Sequence, residues 1–71
     1  MRYQLSFGTH DDNTVLGVYD TPEKARAVMV RQLNKKGIKP NYYRQVGEIE
    51  DCFIDYGSYI YFYFIRAIDK D

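Results

Sequence analysis

Tryptophan is absent from this chain of 71 residues, cysteine occurs once and proline twice. A lone Cys52 excludes an internal disulfide, and without CxxC or Cys/His spacing there is no pattern for a structural zinc. The longest apolar run, residues 59 to 65, falls far short of the roughly 20 residues that a membrane-spanning helix requires. No basic region leads into an apolar stretch and a cleavage site, so no signal peptide is legible and a cytoplasmic location is the expectation. Charge of one sign is also missing, because ten basic residues cancel ten acidic ones, and total charge therefore implies no polyanionic partner. Repeats, low-complexity tracts and linkers are lacking too, so residues 1–71 are expected to fold as a single domain.

A domain of this size buries only about 60% of its unfolded surface, so its stability is marginal unless a partner contributes. The charges that cancel in total are unevenly placed. Between residues 22 and 46 lie seven bases (Lys24, Arg26, Arg31, Lys35, Lys36, Lys39 and Arg44) against Glu23 alone. The next stretch holds Glu48, Glu50, Asp51 and Asp55 and no base. Such a dipole can steer association, although a charge run also serves simply as a solvated face.

Residues 2 to 7 alternate, with Tyr3, Leu5 and Phe7 on one side, as in a half-buried strand. GTHDDN turns the chain, and TVLGVY (14–19) returns it as the second strand of a hairpin. A helix follows, marked at both ends. Thr21 can cap it, Pro22 occupies the first helical position where a missing N–H costs nothing, and Glu23 faces the positive end of the dipole. At its far end Lys35 and Lys36 are followed by Gly37, suited to a left-handed residue after the cap, with Ile38 reaching back to Leu33. Ala25, Met29 and Leu33 form its apolar stripe, flanked by Val28 and Val30. Beyond Pro40 the pattern is that of a loop with a short strand near residues 44 to 49.

The last stretch, DCFIDYGSYIYFYFIRAI, reads as a hairpin turning at Tyr56, Gly57 and Ser58. A three-residue loop there would set Phe53 opposite Tyr61 and Ile54 opposite Ile60. The expected fold is α+β in two layers: an antiparallel sheet of about four strands, order ββαββ, with one helix on one face. One helix covers one face, so the more apolar side should meet it: Tyr3, Leu5, Phe7, Leu16, Val18, Cys52, Ile54, Ile60, Phe62 and Phe64. The side left without cover would then carry Phe53, Tyr59, Tyr61, Tyr63 and Ile65.

LGVYDTPEKARAVM resembles the strand-to-helix junction of small uncharacterised bacterial and phage ββα-type domains, which carry a GVY/F, x, Ser or Thr, x, Glu, x, Ala pattern. That resemblance covers roughly residues 3 to 33, and it implies a fold and no activity.

Large tyrosine rings suit interfaces, so Phe53, Tyr59, Tyr61, Tyr63 and Ile65 are the candidate surface for a homo-oligomer or a protein partner. The alternative is nucleic-acid binding through the basic helix face, Lys24, Arg31, Lys35, Lys36 and Lys39, with no recognisable recognition motif. His10 stands beside carboxylates in THDDN, which a turn-forming loop explains, and one loop tip holds too few ligands for a metal. Glu48, Glu50, Asp51 and Asp55 match no calcium-loop spacing. Cys52 is expected inward, as a small core residue. No triad, phosphate-cradling loop or concave pocket is legible, so neither an enzyme, a cofactor nor a small-molecule substrate is expected.

Overall fold

The computed structural model describes residues 1–40, 42–48, 50–58 and 60–69. They form β1 (Tyr3–Gly8), β2 (Asn13–Tyr19), α1 (Pro22–Lys35), β3 (Arg44–Glu48), β4 (Asp51–Asp55) and β5 (Phe62–Ala67). The α+β class stands, but the sheet has five strands rather than four, all antiparallel, in the order β2-β1-β5-β4-β3. The weak strand signal near residues 44 to 49 is a full edge strand, paired along β4 from Arg44↔Asp55 to Glu48↔Asp51.

Helix α1 starts and stops where local chemistry requires. The Thr21 hydroxyl accepts the Lys24 N–H at 3.1 Å, and Pro22 opens the helix. At the other end Gly37, at φ +75°, lets its own N–H reach the Asn34 carbonyl (3.0 Å) and that of Ile38 reach the Leu33 carbonyl (2.9 Å). This is the Schellman arrangement that Gly37 and Ile38 foretell. Ala25, Met29 and Leu33 are buried, and the helix lies across β2, β1 and β5.

The core beneath it is Leu5, Cys52, Ile54, Tyr63 and Ile65, with Tyr3, Phe7, Leu16, Tyr19 and Tyr56 at its margins. Four residues expected there are elsewhere. Ile60 is exposed in the β4–β5 connection, Val18 is exposed on the edge strand β2, and Phe62 and Phe64 lie on the opposite face of the sheet. The cause is register. Cys52 pairs with Ile65, Phe53 with Phe64 and Ile54 with Tyr63, so paired numbers sum to 117, not to the 114 of a three-residue turn. The connection runs over residues 56 to 61, and a displacement by three, being odd, turns every β5 side chain to the other face.

The reason lies two residues past the aromatic run. Phe62, Phe64 and Arg66 share a face in any register. Turning the two phenylalanines inward would drag Arg66 under the helix, where burying an unpaired guanidinium costs several kcal/mol. Tyr63, Ile65 and Ala67 carry no charge and go in instead.

Candidate functional site

The helix-free face is built by reading across the strands. Register places Val15, Ser6, Phe64, Phe53 and Val46 side by side, a mostly apolar band spanning all five strands. Phe62 extends it along β5. Gln4, Arg66, Asp51 and Glu48 form the neighbouring row, so the band is bordered by one guanidinium and two carboxylates.

The three phenylalanines pack on one another. Phe53 meets Phe62 edge-on with centroids 5.3 Å apart and lies 6.3 Å from Phe64. Against them sits His10, from the β1–β2 loop. Its ring is 4.8 Å from Phe53, 4.8 Å from Phe62 and 5.4 Å from Phe64. The loop is braced internally: the Thr9 and Asp12 backbones and the Thr9 hydroxyl hydrogen-bond one another, and the Asn13 amide donates to the Thr9 carbonyl. His10 and Asp11 are thereby held at its apex. A shallow cleft of about 170 Å³ opens beside the band, bordered by Gln4, Ser6, His10, Asp51, Phe64 and Arg66.

The tyrosine surface read from the sequence is not assembled. Of its described members, only Phe53 is on the open face. Tyr63 and Ile65 are buried at 0% and 1% exposure, inside the core. Tyr61 is on the helix side, stacked on Phe7 at 5.7 Å and 44% exposed. Tyr59 lies outside the described residues. The cover shortage inferred from one helix on one sheet holds, but among the described residues the rings brought together on the uncovered side are those of phenylalanine and histidine.

Neither a protein-family model, nor a curated protein, nor a solved structure matches this chain.

On the other side of the domain the helix bases are separated in their surroundings. Lys24 pairs with Asp20 at 3.5 Å, the Lys36 ammonium lies 4.1 Å from the Phe7 ring centroid, and Lys39 is exposed beyond the helix. Arg31 and Lys35 border an open cleft of about 460 Å³ with Tyr19, Val28 and Gln32. Among the described residues no three His, Cys, Asp or Glu side chains gather as a metal would require, and no helix is long and apolar enough to cross a membrane.

Burial pushes up Cys52, Tyr56 and Tyr63 on the helix side. The Cys52 thiol is pushed up by desolvation, only partly offset by the nearby Arg26, so it should react slowly with an alkylating reagent until the chain unfolds. Comparing its alkylation rate with and without urea checks this, and equal rates would contradict the burial. Tyr63 has its phenol pushed up to about 12 by burial, reinforced by Tyr56 and Tyr43. The folded state thus holds this proton more tightly than the unfolded chain, whose tyrosines titrate near 10. Its contribution is complete below about pH 10 and is lost as pH rises towards about 12, a change of about 3 kcal/mol. The urea midpoint should fall over that interval, and by less in Tyr63→Phe; identical alkaline profiles would contradict the assignment.

Proposed function

We propose that this chain is a small non-enzymatic interaction module that pairs with a second copy of itself through the helix-free face of the sheet. One observation supports the reading above others: Phe53, Phe62 and Phe64 form a contiguous aromatic patch that no helix or strand among the described residues covers.

Charge favours a second copy as occupant. A two-fold axis parallel to the strands, between β4 and β5, would set Phe64 on the other copy's Phe53 and Arg66 against its Asp51, as the register requires. The same acidic border disfavours nucleic acid on this face, since Asp51 and Glu48 would repel phosphate where the rings could stack bases.

Area sets the strength. Five strands about 4.8 Å apart, each offering about five residues of 3.4 Å, give a projected face of roughly 400 Å². A standard interface contributes about 800 Å² per partner, so association should be weak, micromolar or looser, and concentration-dependent.

Sedimentation equilibrium over a wide concentration range tests the reading. Phe64→Ser should weaken association more than tenfold and leave the melting temperature within a few degrees, because Phe64 is only half-buried. Arg66→Asp and Asp51→Arg should each fail to self-associate, yet associate when mixed, since the mixture restores both cross-copy pairs. A wild-type chain that stays monomeric at millimolar concentration would defeat the proposal. Salt-sensitive retention on DNA or RNA, abolished by Arg31→Ala with Lys35→Ala, would instead favour nucleic-acid binding by the helix face.

A further inference from the structure

We infer that His10 is a displaceable resident of the three-phenylalanine seat, and that the β1–β2 loop works as a strap limiting self-association through this face. The inference rests on the self-pairing proposed above and adds its regulation.

His10 is the apex of a short loop, and it makes three ring contacts at 4.8, 4.8 and 5.4 Å with residues of β4 and β5, more than 40 positions away in sequence. Among the described residues, the hydrogen bonds of the loop close on itself, through Thr9, Asp12 and Asn13, rather than on the sheet's far strands. The imidazole is therefore what ties the loop to the aromatic patch. It remains exposed despite those contacts, so it shields the rings without being locked in place.

Two sheets stacked face to face lie about 10 Å apart, which leaves room for one interdigitated layer of side chains. An imidazole seated at the middle of the patch is an additional ring in that layer. A second copy's Phe53 and Phe64 can fill it fully only when His10 moves aside. The internal bracing makes this cheap, because the loop can swing as a unit without breaking its own hydrogen bonds.

In this arrangement the seat accepts a planar aromatic group, and His10 and the partner's rings compete for it. His10→Ala should tighten self-association about tenfold, the effect of removing two or three ring contacts that oppose it. Free imidazole added to His10→Gly should weaken the association again and leave the wild type unaffected. In the wild type, the His10 ring protons should be displaced from their random-coil positions by the ring currents of the three phenyl rings 4.8 to 5.4 Å away.

Unchanged or weaker association in His10→Ala, with Phe64→Ser still disruptive, would overturn the strap and leave the self-pairing standing. Absence of association in the wild type and in His10→Ala alike would overturn both. Random-coil shifts for the His10 ring would overturn the seat itself, independently of any oligomer.

Discussion

Tyr63→Ser should unfold the domain. The ring has no exposed surface and is the largest side chain buried completely, packed 4.8 Å from Phe7 and 5.6 Å from Tyr56. Removing an aromatic ring from a core costs about 3–5 kcal/mol, and serine adds a hydroxyl that must find a partner among apolar neighbours, about 1–3 kcal/mol more. Against that, a chain of this length holds a total stability of only about 4–11 kcal/mol. The variant should therefore show little native circular dichroism at 25 °C, or a melting temperature lowered by tens of degrees. Tyr61→Ser, two residues earlier on the same side but 44% exposed, should cost about 1 kcal/mol. A folded Tyr63→Ser alongside a crippled Tyr61→Ser would mean that β5 runs in a different register.

The second large effect is expected at Gly8, where β1 gives way to the loop that carries His10. Its φ of +149° is disfavoured for residues with a side chain, and a Cβ there would lie 2.4 Å from the Asp12 carbonyl oxygen and 2.7 Å from the Asn13 Cα. Both obstacles are backbone, so no rotamer change relieves them. Backbone strain of about 1–3 kcal/mol and overpacking of similar size should lower the melting temperature of Gly8→Ala by roughly 10 °C or more. The loop should also be pushed away from the sheet, so the ring-current shifts of the His10 ring protons should vanish with it. A variant melting within two or three degrees of wild type would show that the turn closes differently.

These expectations differ in how early they could be seen. The helix was legible to the residue, because Thr21, Pro22, Gly37 and Ile38 act on backbone groups within a few positions of themselves. β1 and the inward course of Leu5 follow from alternation alone. In DCFIDYGSYIYFYFIRAI both faces of the strand are rich in rings, so alternation cannot say which faces the helix. Arg66 held the missing information: it shares its face with Phe62 and Phe64, and a charged group two residues beyond the aromatic run marks that face as the outer one. β3 was faint because RQVGE, an edge strand with one half-buried residue, Val46, has little hydrophobic pattern to show.

His10 is a different case. Nothing in THDDN signals a contact with rings more than 40 residues later, and its carboxylate neighbours suggest only a hydrophilic turn. The contact exists because β1, β5 and β4 stand next to one another in the sheet, an order that no local pattern encodes.

Sequence by itself determined the capped helix, the strands it follows, the inward side of β1 and β4, and the inability of one helix to shield both faces of a sheet. Those features arise from interactions between near neighbours or from simple counting of covering elements. Tertiary structure decided the register of β5, and with it which rings are core and which are surface, as well as the seat beneath His10. Register is set by the pairing of strands distant in the chain and by the cost of burying Arg66, and a slip of an odd number of residues exchanges inside for outside without altering a single local preference.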